Sequence, residues 1–251
     1  MTHPQRFLTP ILAQPNDDEP RLAYANWLDA CGNPLGEFIR LQCPSAFGRD
    51  ERPRLMRERR AQELLAEHRA GWAKTLAGRV RWCSFHRGFV EEIALTDKQW
   101  AQHAPELFRH APVQDVHLHW LGARLDKLPA VPTGSPTIFL DLSSQRLGNR
   151  NLADLAESEL LLQTHGLNLA SNNVNDDGLQ ALYDSPHLDR LRELYLADNP
   201  ITDDGIRGFV LSPIVERLDV LDVRFTHISP EGIDVLRRIL GRKLLFGNSF
   251  A

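Results

Sequence analysis

Beyond residue 139 the chain repeats a short apolar alternation. Leu140-x-Leu142, Leu167-x-Leu169, Leu194-x-Leu196 and Leu221-x-Val223 follow one another at intervals of 27 residues. Side chains alternate across a strand, so each pair puts two apolar residues on one face. Further apolar columns keep the same register. They are Leu147, Val174, Ile201 and Ile228, then Leu152, Leu179, Ile206 and Ile233, then Leu155, Leu182, Phe209 and Leu236. The last two columns are three residues apart, the spacing of a helix face. Each unit therefore predicts a strand, a turn and a helix.

Polar positions punctuate the units in the same rhythm. Asn172 and Asn199 stand where the chain leaves the strand and can satisfy the backbone of a tight turn; Gln145 and Thr226 replace them in the outer copies. Asn175, Thr202 and Ser229 are placed as helix N-caps. Acidic residues follow at once (Asp176, Asp177, Asp203, Asp204 and Glu231), complementing the helix dipole. Gly178, Gly205 and Gly232 form a column where the helix start packs too closely for a side chain. A unit of this kind cannot bury its apolar face alone, so the copies are expected to stack into a solenoid with a parallel sheet on its concave side. Val116-x-Leu118 and Ile93-x-Leu95 supply two degenerate earlier strands, and Leu244-x-Phe246 a final one, for six or seven in all.

Residues 1–78 have a different grammar. Pro4–Gln14, Pro20–Cys31 and Pro34–Gln42 read as short helices punctuated by prolines at their starts and Gly32 after the second. A longer helix is expected from about Arg54 to Leu76, with Ala61, Leu64, Leu65, His68, Trp72 and Leu76 on one stripe. Arg79 to Leu95 is extended. The expected division is a helical module over 1–78, degenerate repeats over 79–133 and a regular array with its C-terminal cap over 134–251.

Two resemblances emerge. L-x-x-L-x-L-x-x-N-x-I at Leu191 to Ile201, followed by Thr202-Asp-Asp-Gly-Ile206, resembles the leucine-rich repeat of the ribonuclease-inhibitor-like class. Phe7-Leu8, Ile11-Leu12, Pro15-Asn-Asp-Asp-Glu-Pro-Arg-Leu-Ala-Tyr-Ala-Asn-Trp-Leu28 and Gly36-Glu-Phe-Ile-Arg-Leu-Gln-Cys43 resemble the bacterial repeat-companion domain, with Asn26 where Asp is usual. Phe85-His-Arg-Gly-Phe-Val-Glu91 and Ala104 to Pro112 resemble the stretch that follows that domain. The resemblance implies an α/β fold: a leucine-rich-repeat solenoid with a parallel concave sheet, convex helices and an N-terminal all-helical cap module. It implies no biochemical activity.

Composition sharpens this picture. Of 39 leucines, 27 lie between Leu118 and Leu245, where the repeats are. The net charge of −4 hides segments of opposite sign: nine basic and three acidic residues over 52–81, against seventeen acidic and seven basic over 134–235. The acidic array would repel phosphate, so nucleic acid is disfavoured as a partner. The basic stretch could contact an acidic partner, or simply be the solvated face of a helix. No apolar run approaches the roughly 20 residues that span a bilayer. The opening residues lack a secretory h-region. Cys31, Cys43 and Cys83 read as reduced thiols. A cytoplasmic protein is expected.

Candidate chemistry is sparse. His117-x-His119 puts two imidazoles on one strand face, with His103, His110 and Cys83-x-x-His86 elsewhere, but no recognised set of three or four metal ligands is present. Cys31 and Cys43 are expected on apolar helix faces, as inert small hydrophobes. Asp17-Asp18-Glu19 reads as a solvated helix start, and no phosphate-cradling glycine loop occurs. We therefore expect no catalytic residue, metal or cofactor.

The concave sheet remains. Its outward positions are not needed for packing: Phe139, Asp141, Ser143, Asn168, Glu193, Tyr195, Asp222 and Arg224 are the candidate partner-binding residues, with Tyr195 flanked by Glu193 and Asp222 as the focus. These positions could equally be plain solvated strand residues. The expected function is non-catalytic protein–protein recognition, as adaptor, scaffold or sensor subunit, of a basic or mixed-charge protein. Two alternatives stand beside it: a regulator or inhibitor of a neighbouring enzyme in stress or defence, and a thiol- or metal-dependent enzyme on Cys83, His86, His117 and His119. Oligomeric state is left open.

Overall fold

The computed structural model describes residues 4–43, 45, 52–120, 122 and 124–247. The opening residues Met1 to His3 lie outside them. Two compact units emerge, one of residues 1–95, 103–114 and 132–136, the other of 96–102, 115–131 and 137–251.

The first unit begins with helices α1 (Gln5–Ala13), α2 (Glu19–Ala30), α3 (Leu35–Gln42) and α4 (Arg52–Trp72). The expected single helix from Arg54 to Leu76 breaks after Trp72, and a separate 3-10 turn covers Lys74–Leu76. Of its expected apolar stripe, Ala61, Leu64, Trp72 and Leu76 are buried, while Leu65 and His68 are half-buried. The extended stretch resolves into an antiparallel hairpin of β1 (Trp82–His86) and β2 (Phe89–Thr96). Its two-residue turn is Arg87-Gly88, both at positive φ (48° and 86°), as such tight hairpins require. Beneath the hairpin, Arg21 of α2 is completely buried against Glu91, with Nη2 2.6 Å from Oε1. Its guanidinium also donates to the carbonyls of Arg87 and Pro15, and Arg87 donates to Glu91 Oε2 at 2.9 Å. Burial pushes the Glu91 carboxyl upward, against the pull of Arg21 and Arg87.

α5 (Asp97–His110), which the repeat register does not anticipate, follows β2. The second unit then runs through parallel strands β3 (Asp115–His119), β4 (Ile138–Asp141), β5 (Thr164–Asn168), β6 (Glu193–Tyr195), β7 (Val220–Asp222) and β8 (Leu244–Leu245), each beside its predecessor. Between them lie α6 (Gly148–Ala156), α7 (Asp176–Tyr183), α8 (Asp203–Phe209), α9 (Pro213–Arg217) and α10 (Pro230–Leu240). The expected leucine columns are the core: Leu140, Leu167, Leu194 and Leu221 pair in register, and all are buried. The fold is thus α/β, with eight strands among the described residues, six of them successive and parallel.

Two polar ladders tie successive units. Asn199 Oδ1 accepts from the amides of Asn172 and Val174 one unit back, and its Nδ2 donates to the Leu169 carbonyl. Asn172 does the same for Gln145, Leu147 and Leu142. On the helix side, the Asp176 carboxylate accepts from Thr202 N and Oγ1, and Asp203 from Ser229 N and Oγ. Asn175, Thr202 and Ser229 cap their helices by accepting from Asp177, Asp204 and Gly232. The dipole role read for Asp176 and Asp203 is therefore only part of their work. No helix among the described residues is long and apolar enough to cross a membrane.

One expectation about the cysteines fails. Cys31 and Cys43 each stand just past the last residue of their helices rather than on a helix face; Cys43 is buried, but Cys31 is exposed.

Candidate functional site

Strand alternation turns every second side chain of β3 to β7 away from the leucine core, onto one open face. Across that face Asp115, Phe139, Gly166, Glu193 and Val220 form one row, and His117, Asp141, Asn168, Tyr195 and Asp222 the next. The rows place all the sequence-nominated strand residues side by side, but their surroundings divide them into two kinds.

The first kind is occupied with its own backbone. Asp141, Asn168 and Asp222 each bend a side-chain oxygen back to the amide two residues on, at Ser143 (2.8 Å), Ala170 (3.1 Å) and Arg224 (3.1 Å). Each closes the turn by which the chain leaves its strand. Asp222 goes further, and here the expectation of an exposed carboxylate is wrong. Only 3% of its side chain is exposed, because Arg224 folds over it with Nε on Oδ1 at 2.9 Å and Nη2 on Oδ2 at 2.7 Å. What the face presents at this point is the outer edge of Arg224, whose pKa the carboxylate raises.

The second kind is free of such duties. Phe139 lies across Gly166, where a β-carbon would collide with its ring. This missing side chain lets Phe139 reach over β5 to Tyr195, with ring centroids 5.7 Å apart in edge-to-face geometry. Tyr195 donates its hydroxyl to Glu193 Oε2 at 2.9 Å. Partial burial, that hydrogen bond and the charges of Glu193 and Asp222 push the phenol up to about 12. His117 Nδ1 stands 3.3 Å from Asp141 Oδ2 at the other side of the aromatic pair. The result is two half-buried rings with Glu193, the His117–Asp141 pair and Arg224 around them.

Sequence reading missed His165. Its ring meets Phe139 at 6.4 Å, and its Nδ1 is buried with no hydrogen-bond partner. The signal lies in the strand pairing: β5 steps out of register between the partners of Ile138 and Phe139, so His165 escapes the alternation on which the columns were read. Asn172 and Asn199 lie outside the open face, in the turn ladder described above.

Among the described residues no group of three or more His, Cys, Asp and Glu side chains is gathered as a metal would need. Burial pushes the Cys83 thiol up, against Arg69, and takes Cys43 to about 12. Activated thiols are shifted the other way.

The described "Leucine Rich repeat" family matches residues 167–182 and 191–210, that is, β5 with α7 and β6 with α8. No curated protein matches the chain. These two stretches are similar to leucine-rich repeats, a class of unit that generally serves protein–protein contact.

Proposed function

We propose that the chain is a non-catalytic recognition module that binds a basic or mixed-charge protein through the open face of β3 to β7. In this reading it is a bacterial cytoplasmic protein of ribonuclease-inhibitor-like repeats, with residues 1–78 as a helical repeat-companion module that caps the array. The observation that carries the reading is the Phe139–Tyr195 pair. Two aromatic side chains are held partly exposed on a packed sheet, over a glycine that makes room for them. Rigid aromatics ringed by polar groups are what binding hot spots consist of, and the sheet presents them at little ordering cost. Glu193 beside them and the excess of acid over 134–235 favour a cationic partner.

The test is affinity capture from the native cell with the whole chain and with the double variant Phe139→Ala/Tyr195→Ala. Both changes lie on the open face, so circular dichroism should be unaltered. A partner held by the parent chain, released by moderate salt and lost in the double variant is the expected result. Undiminished capture by a folded double variant would remove the open face from the interaction. Asp222 is unsuited to this test, because replacing it strands Arg224 and disturbs the β7 turn.

A further inference from the structure

The aromatic pair of the open face stands between acids. In its row Phe139 pairs with Asp115 on one side and Gly166 on the other, and Gly166 pairs with Glu193. A carboxylate residue therefore lies to either side of the rings, one on β3 and one on β6. Between them, Gly166 leaves its space to the ring of Phe139, which occupies the place of a β-carbon there.

In the next row the acids are met from within the face: Arg224 covers Asp222, and His117 stands against Asp141. Glu193 differs. Its Oε2 accepts the Tyr195 hydroxyl at 2.9 Å, and no described residue donates to its Oε1. That one hydrogen bond fixes the carboxylate at the hydroxyl end of the Tyr195 ring, on the same strand and the same face. Ring and acid are thus held in a set relation, with one acceptor unused.

We propose that this corner of the open face receives an arginine side chain of the partner protein. Its guanidinium would lie against the aromatic pair and donate to Glu193 Oε1. A guanidinium is planar, weakly hydrated and carries its donors on its edge, so it covers a ring with its face while its edge meets a carboxylate. The ammonium of lysine is compact and strongly hydrated, and gains less from a ring. An acidic ligand group would be repelled by Glu193 and Asp115 alike. The inference rests on the recognition reading above and narrows it, from a cationic partner to one that places arginine on the Phe139–Tyr195 pair.

The probes are short glycine peptides with a central arginine, lysine or citrulline, titrated into the whole chain carrying isotope-labelled tyrosine and followed by NMR. The chain has three tyrosines, Tyr24, Tyr183 and Tyr195, and Tyr195→Phe identifies the signal of the third by its loss. The arginine peptide should shift the Tyr195 signal saturably, in the millimolar range, and leave that of the buried Tyr24 in place. Citrulline keeps the planar group and lacks the charge, so its peptide should bind about fivefold more weakly, with lysine between the two. Glu193→Gln keeps an acceptor for the Tyr195 hydroxyl and removes the charge. It should lower affinity for the arginine peptide about fivefold with circular dichroism unchanged. An unmoved Tyr195 signal, equal binding of the citrulline peptide, or an unaffected Glu193→Gln variant would overturn the inference. If partner capture is then still lost in Phe139→Ala/Tyr195→Ala, the recognition reading stands and the arginine alone is wrong. Undiminished capture by that double variant would overturn both.

Discussion

The carboxylate of Asp176 occupies the space that a β-carbon on Gly205 would need. The two residues belong to successive units, and the carboxylate is fixed there by Thr202 N at 2.8 Å and Thr202 Oγ1 at 2.6 Å. Asp203 stands in the same way over Gly232, held by Ser229. An alanine in a helix ordinarily gains about 0.5–1 kcal/mol over glycine. Here Gly205→Ala should instead cost about 1–3 kcal/mol, because the methyl must displace a doubly bonded carboxylate. In an Asp176→Ala background the cost of Gly205→Ala should shrink, since the two atoms nearest that position belong to the Asp176 carboxylate. Chemical denaturation of the four proteins in this cycle reads the coupling directly.

Asn199 is a sharper point of failure. It is buried and serves amides on one unit and carbonyls on two, including Leu169 at 2.9 Å and Leu196 at 3.0 Å. Asn199→Ala would leave several buried main-chain groups unsatisfied at about 1–3 kcal/mol apiece. We expect a loss of at least about 3 kcal/mol by denaturant unfolding. Asn199→Asp should fall between the two, keeping the acceptor and losing the donor.

These two ladders show what a one-dimensional pattern can carry. The leucine columns and the caps at Asn175, Thr202 and Ser229 are periodic, local and chemically typical, so the sequence alone exposes them. The bond from Asp176 to Thr202 crosses between units, and nothing in a helix start distinguishes an acid serving its own dipole from one serving its neighbour's cap. Asp222 misleads for a related reason. Alternation correctly puts it on the open face, but only the fold of Arg224 back across it decides that it is hidden. Gly166 is the reverse case: an empty position in a column turns out to be the space that a neighbour's ring fills. Arg21 is the extreme one, a charged residue within a polar-looking helix whose partner, Glu91, lies 70 residues on.

The turn after each repeat strand carries measurable strain. Ser144, Ser171, Asp198 and Phe225, each 27 residues from the next, all have positive φ between 54° and 58°. A left-handed conformation costs a residue with a side chain roughly 1–2 kcal/mol, whereas glycine is spared. Ser144 is exposed, so its side chain is dispensable to packing. Ser144→Gly should raise stability by about 0.5 kcal/mol after the greater entropy of the unfolded glycine is counted. Ser144→Val should be destabilising, since a β-branched residue is the least tolerant of this conformation. Thermal unfolding of the two variants beside the parent chain separates these outcomes.

The Arg21–Glu91 pair predicts an asymmetry between breaking and replacing it. Neither side chain reaches water appreciably, and Arg21 Nε is buried without a hydrogen-bond partner. Arg21→Met leaves the buried Glu91 carboxylate with only Arg87 and the Gln114 side-chain amide as close partners and should cost about 3–5 kcal/mol, the usual penalty for breaking a buried ion pair. Arg21→Met/Glu91→Leu should recover a substantial part of that loss, because desolvation of both ions is then avoided. Equal destabilisation in the single and double variants would mean that the Arg21 bonds to the Pro15 and Arg87 carbonyls matter more than its charge.

Alkaline titration tests the burial of the tyrosines, including the one at the centre of the open face. Burial takes Tyr24 to about 12, and burial with the Glu193 hydrogen bond takes Tyr195 to about 12. Burial and then Asp184 raise Tyr183. In the unfolded chain all three phenols would ionise near 10. A folded pKa raised above the unfolded one means that the folded state holds its proton more tightly. The associated stability is therefore fully present below pH 10 and is lost as pH rises from 10 through about 12. Tyrosinate absorbance near 295 nm at pH 10 should accordingly be well below that of the unfolded chain and should rise together with unfolding at higher pH. Glu193→Gln removes the carboxylate that accepts the Tyr195 hydroxyl and repels its anion, so one phenol of the three should then titrate at lower pH. An unchanged titration in Glu193→Gln would show that burial alone holds the Tyr195 proton, and would take Glu193 out of the electrostatics of the recognition face.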